Sequence, residues 1–227
     1  MFLINPYILQ ASGNPLWDGL QAYYTADNTP NDALGTYNGT LVNGATYGTG
    51  IINQGFSFDG LNDYVQLPDN CFKPLNDFSI NTWINITGTN IGTVFCAQYS
   101  NRGFRVDVLN SNKIFFRFFD SSGTSYDLTS TGTITRGVNQ MITITKDSVN
   151  GLKVYINGVF DSGNAVLTDV GYDAVNPTLT SIGTARYQIP NFIQWYNGVI
   201  DEVATFTDVL TSSEVTELYN SGAGLQY

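Results

Sequence analysis

The stretch GVIDEVATFTDVLTSSEVTELYNSG, residues 198–222, constrains the fold more than any other part of the chain. Between 199 and 206, Val199, Asp201, Val203 and Thr205 fall on one side and Ile200, Glu202, Ala204 and Phe206 on the other, which is the period of a strand. Thr211 and Glu214 then stand at the spacing of a capping box. Val215, Leu218 and Tyr219 recur at helical intervals, and Gly222 is a natural stop. A closing strand thus feeds one short capped helix, and no other segment carries convincing helical signals.

The remaining regular segments are short, alternating and separated by turn residues. LQAYYTAD (20–27) places Leu20, Ala22 and Tyr24 on one face. GFSFDGLNDYVQLP (55–68) sends Phe56 and Phe58 inward, turns at Asp59-Gly60 and Asn62-Asp63, and resumes at Val65 and Leu67. DFSINTWINI (77–86) alternates again, with Trp83 expected to pack. GFRVDVLN (103–110) and KIFFRFFD (113–120) are joined by a short Ser111-Asn112 turn. MITITK (141–146) precedes LKVYINGVFD (152–161), whose Asn157-Gly158 is the best hairpin turn in the chain, and TLTSIG (178–183) follows. Roughly a dozen strands at this spacing predict an all-β, two-layer antiparallel β-sandwich, with one short C-terminal helix. With no internal repeat, the division is an arm at 1–13 and one domain at 14–227.

Composition then removes several function classes. A net charge of −10 argues against nucleic acid, whose phosphates need a basic footprint, and against an anionic membrane surface. The absence of histidine excludes Ser-His-Asp and Cys-His catalysis and histidine-ligated zinc. Cys71 and Cys96 are more simply read as free thiols than as a lone bridge.

Gly198, Ile200, Asp201, Glu202, Val203, Leu218, Tyr219 and Gly222 resemble the C-terminal signature of the laminin-G-like family, within the concanavalin A-like lectin and glucanase superfamily. The resemblance runs over residues 20–222. It takes in an opening strand ending at Asp27, the Asn38-Gly39-Thr40-Leu41 segment, the GFSFDG block, the Trp83 strand and the Ile156-Asn157-Gly158 step. It implies a jelly-roll, concanavalin A-like form of the sandwich and a structural calcium ion near the opening and closing strands, with Asp27 and Asp201 as ligands and Asp59 and Asp63 as further candidates. The competing reading of these aspartates is that they cap turns. Glucanases on this architecture carry Glu-x-Asp-x-x-Glu on one strand. Here the only glutamates are Glu202, Glu214 and Glu217, so that motif is absent and the chain is expected to be non-catalytic.

A binding face is expected where aromatic rings meet amides, since rings stack on sugar C–H faces while amides bond hydroxyls. RYQIPNFIQWYNG (186–198) offers Tyr187, Phe192, Trp195 and Tyr196, and a second loop offers Tyr99, Asn101 and Arg102. The alternative is that these rings cover the end of the sandwich or a subunit contact. Residues 1–13 are apolar but lack the basic start of a secretory signal, and they are too short to span a bilayer. They resemble the starts of some tailed-bacteriophage structural proteins, which implies a docking arm toward other virion proteins. The expected function is a laminin-G-like module on a virion, binding a host-surface glycan or decorating the particle, with room for an oligomer. The alternatives are a secreted or cell-surface bacterial carbohydrate-binding module and a glycan hydrolase.

Overall fold

A computed structural model describes residues 15–74, 76–188 and 191–227; the expected arm at 1–13 lies outside these, as do the side chains of Tyr187, Gln188, Asn191 and Phe192. Among the described residues the strands are β1 (Leu20–Tyr24), β2 (Thr40–Val42), β3 (Thr46–Thr49), β4 (Gln54–Asp59), β5 (Tyr64–Gln66), β6 (Phe78–Ile86), β7 (Gly92–Gln98), β8 (Gly103–Val108) and β9 (Ile114–Phe119). They continue as β10 (Ser125–Thr129), β11 (Gln140–Asp147), β12 (Gly151–Ile156), β13 (Val159–Asn164), β14 (Leu179–Ile182), β15 (Ala185–Gln188), β16 (Asn191–Ile193) and β17 (Asn197–Phe206), before the helix α1 (Ser212–Tyr219).

The strands form an eight-stranded sheet in the order β13-β12-β11-β6-β17-β4-β3, with β1 also paired to β17. A seven-stranded sheet runs β10-β9-β8-β7-β14-β5-β2, and β15-β16 make a two-stranded ribbon. The two large sheets share one core because alternate residues of each face the other sheet. Phe56, Ile80, Ile144 and Val154 come from the first, and Val65, Phe95, Phe104, Phe116 and Phe118 from the second. Phe78, Phe104 and Phe116 stack in sequence, with ring centroids 5.2 and 5.7 Å apart. A smaller core lies on the outer face of the eight-stranded sheet. There Val215 and Leu218 of α1 press against Trp17, Tyr23, Trp83, Met141 and Phe206, and Trp83 stacks on Tyr219 at 5.6 Å.

The expected alternation of the closing strand is corrected by a β-bulge. Register shifts between Asp201 and Ala204, and Glu202 takes a positive φ of 50°. Ile200 and Val203 therefore share the sandwich core, while Ala204 and Phe206 turn to the outer cluster. A second register shift between Leu20 and Ala22 separates those two in the same way: Ala22 and Tyr24 enter the main core and Leu20 packs against the outer one.

Local signals hold at the helix and the hairpin. The Glu214 amide donates to Thr211 Oγ1 at 3.3 Å, and the Thr211 amide donates to Glu214 Oε2 at 2.7 Å. The helix stops on Asn220, in the left-handed region at φ 47°, two residues before the expected glycine. Asn157 and Gly158 turn with φ of 52° and 79°, the sign a two-residue hairpin needs. Both cysteines are free and buried. Cys71 belongs to the sandwich core, whereas Cys96 pairs across strands with Arg105 and is covered by the ribbon, so the seven-stranded sheet lies between the two thiols. Burial pushes their pKa values up to about 11 and about 12 respectively.

Candidate functional site

The aspartates named as candidate calcium ligands accept amides in this structure. Asp201 is 2% exposed; its Oδ2 accepts the amides of Ile51 (2.8 Å) and Ile52 (3.2 Å), and its Oδ1 accepts the Glu202 amide (2.8 Å). Asp27 accepts the Gln54 amide at 3.0 Å and the side-chain amides of Asn53 and Gln226 at 3.1 and 3.3 Å. The two carboxylates thus hold the turn between β3 and β4 from either end. Burial, with Asp27's charge adding to it, raises the Asp201 pKa to about 7. Glu202, buried against Tyr23 and Gln226, is raised well above the usual range by desolvation. Asp59 caps the Leu61 amide, and Asp63 caps those of Gly44 and Asp59. Among the described residues, no group of three or more His, Cys, Asp or Glu side chains is placed to hold a metal ion. A hard cation wants about six to eight open oxygens, and oxygens already facing N–H donors fit it poorly.

The aromatic loops separate on inspection. Tyr196 is fully buried in the sandwich core, edge-on to Phe58 at 6.1 Å, and packs rather than presenting itself to a ligand. Trp195 is half-buried, its ring 6.1 Å from that of Tyr64. Tyr187 and Phe192 sit on the ribbon strands, with side chains outside the described residues. Tyr99 and Arg102 close the β7–β8 turn, where the Tyr99 amide donates to the Arg102 carbonyl at 3.0 Å. Thr93, at the other end of β7, donates its amide to the Gln194 carbonyl at 2.9 Å. Gln194 thus meets one end of β7, while Tyr99 and Arg102 close the other.

The outer face of the seven-stranded sheet is ordered by strand register. Register runs Thr40–Gln66–Ser181–Cys96–Arg105–Arg117–Asp127 in one row across all seven strands of the second sheet. These residues face away from the core because Phe104, Val106, Phe116 and Phe118, one step along, face into it. The ribbon covers the middle of the row: Arg186 at its start reaches Asp69 and the Thr180 carbonyl, both at 3.3 Å. Beside the ribbon, Asp107 is fully buried and accepts Thr93 Oγ1 at 2.7 Å and Arg105 Nε at 2.9 Å. Burial pushes its carboxyl up, and the Arg105 charge pulls it back. Next outward, Arg117 donates through Nε (2.7 Å) and Nη2 (2.6 Å) to the two oxygens of Asp127, and its guanidinium lies 5.2 Å from the Phe115 ring centroid. Arg117 and Asp127 keep 31% and 37% side-chain exposure. Three of the chain's nine basic residues thus gather on this face, an arrangement the aromatic content of the loops did not reveal. The signal was present in the alternation of GFRVDVLN and KIFFRFFD, which sets Arg105, Asp107, Phe115 and Arg117 opposite the core phenylalanines.

The two antiparallel sheets make a two-layer jelly-roll sandwich whose seven-stranded sheet carries a charged, ribbon-flanked outer face. Residues 58–216 match the family model described as the concanavalin A-like lectin/glucanases superfamily, laminin-G type, and the chain belongs to that family. No curated protein matches it. Among solved structures it is similar to domain 4 of AbnA, an extracellular GH43 arabinanase from Geobacillus stearothermophilus, in complex with arabinotriose. That match has a TM-score of 0.69 and 21% identity, covering 87% of this chain and 97% of that one. It is also similar to the binding domain of Paraclostridial Mosquitocidal Protein 1 (TM-score 0.72, 17% identity, 91% of this chain) and to that of botulinum neurotoxin serotype D (0.69, 17%, 92%). In both toxin structures the match spans 53% of the longer chain.

Proposed function

We propose that this chain is a non-catalytic glycan-binding module whose contact surface is the outer face of the seven-stranded sheet around Arg117, Asp127 and Phe115. The observation that carries the reading is the exposed, bidentate Arg117–Asp127 pair, with a buried Arg105–Asp107–Thr93 network on the neighbouring strands. A planar fork held in one geometry offers matched donors and acceptors to neighbouring sugar hydroxyls, and little ordering entropy remains to be lost on binding. The solved domain with arabinotriose gives the fold a precedent for a saccharide partner. The three carboxyls with raised pKa, Asp107, Asp201 and Glu202, are 0%, 2% and 1% exposed, out of a glycan's reach, which supports a binding rather than a hydrolytic role. We extend the proposal to location: a virion surface, with residues 1–13 as the attachment, a reading supported by sequence alone.

Affinity electrophoresis through gels containing arabinan, laminarin or agarose tests the reading. Retardation by at least one polysaccharide, lost in Arg117→Ala, is expected, with no reducing-sugar release above that of a heat-killed control. Hydrolysis, or retardation indifferent to Arg117, would defeat it.

A further inference from the structure

On the other side of the sandwich, α1 covers the central strands of the eight-stranded sheet, but the β12–β13 hairpin at its edge emerges from beneath the helix. Two clefts meet there. One, of about 340 Å3, lies between β12 and the segment entering α1, with Asp147, Asn150, Lys153 and Tyr155 in its lining. The other, of about 280 Å3, lies between β12 and β13 and is bordered by Asn150, Lys153, Phe160, Gly163 and Asn164. Asn150 and Lys153 line both, so the clefts join into one trough along the hairpin.

The trough is built from complementary groups. Phe160 pairs across strands with Tyr155 and meets its ring edge-on at 5.8 Å, yet keeps 53% exposure on an edge strand, where sheets ordinarily place charge. Gly163 lies opposite Lys153 and leaves the space between lysine and phenylalanine open. A Cβ there would come within 2.8 Å of the Leu152 carbonyl oxygen and against both side chains. Asp147 accepts the Val149 amide and the Asn150 side-chain amide, each at 2.6 Å, which holds Asn150 in place at the trough's wall. One half-exposed ring, one ammonium and fixed amides suit a ligand with an apolar C–H face and a ring of hydroxyls.

We propose that this trough is a second saccharide site, taking a short neutral stretch of glycan on Phe160, with Lys153 and Asn150 bonding its hydroxyls. The proposal rests on the glycan-binding reading of the sheet face, and it makes the module bivalent, with one site on each outer face. Two weak sites engaging one glycan-coated surface raise its avidity without any new contact.

The test is a 15N-amide NMR titration of the full chain with arabinotriose, cellohexaose, laminarihexaose and mannohexaose. Because the Asn164 side-chain amide donates to the Asp127 carbonyl at 3.3 Å, those two positions are left out of the reading, and at least one glycan should move two separate groups of resonances, one around 115–117 and one around 150–153 and 160. Phe160→Ala and Lys153→Met should each weaken the second group at least tenfold and leave the first unchanged. Shifts confined to the sheet face, or variants that titrate like the wild type, overturn the second site and leave the first intact. Shifts at the trough alone keep the trough as a saccharide site but overturn the sheet-face reading and, with it, the bivalent module. No shift with any of the four overturns both.

Discussion

Replacing Asp32 by alanine isolates how much one buried carboxylate contributes to the loop that follows the opening strand. Asp32 is 3% exposed and accepts four backbone amides: Tyr23 (2.9 Å) and Leu34 (3.1 Å) on Oδ1, and Thr36 (3.1 Å) and Tyr37 (3.0 Å) on Oδ2. A hydrogen bond to a charged group contributes about 1.5–3 kcal/mol net, and an amide left unpaired in a buried site costs about 1–3. The four bonds share two oxygens and one loop, so they do not add, and some of the freed amides will find water. The expected loss is about 4 kcal/mol, near the upper end for single substitutions. With a urea m-value of about 2.5 kcal/mol/M, the unfolding midpoint should fall by about 1.5 M. Asp32→Asn, which keeps one acceptor and turns an N–H2 toward the remaining amides, should fall between the wild type and alanine. A midpoint shift under about 0.4 M for alanine would mean that the loop is held by its other contacts and that the carboxylate is incidental.

Thr211→Ala removes one half of the capping box and should cost about 1 kcal/mol, read as a lower Tm; an unchanged Tm would show the helix to be held by Val215 and Leu218 alone. Asp201 binds its proton more tightly folded than unfolded, so its contribution is fully present below pH 3.8 and lost as pH rises through about 7. Urea melts should therefore find the protein less stable at pH 8 than at pH 5 by about 2–3 kcal/mol, with Glu202 adding in the same direction, and equal stability would contradict the raised pKa. Because the oxygens of Asp27 and Asp201 face N–H donors, Tm should be the same in excess calcium and in chelator; a rise with calcium would show that these carboxylates rearrange to take the ion.

What could be read from the residues was local. The capping box at Thr211 and Glu214 and the Asn157-Gly158 turn depend on neighbours in sequence, and both stand in the structure. The sandwich followed from alternation, because one buried face per strand leaves few ways to pack. Alternation failed where register is set by a partner strand: the bulge at Glu202 depends on β6 opposite, and no residue type in 199–206 announces it. β7 was missed because both of its faces are buried, one by the core and one by the ribbon, which erases the period of two. The aromatic loops drew attention through residue type, yet Tyr196 belongs to the core. Arg105, Arg117 and Asp127 form a row only once three strands are in register, since 10 residues of sequence separate Arg117 from Asp127.

The central claim, that the Arg117 face binds glycan, is tested most directly on a glycan microarray carrying plant, bacterial and host-surface saccharides. Wild type and Arg117→Ala would be compared at matched concentration, after circular dichroism has shown both to be folded. The wild type should bind at least one structurally related group of glycans, and the variant should lose tenfold or more of that signal. Equal binding by the two proteins, or no binding by the wild type across the array, would contradict it.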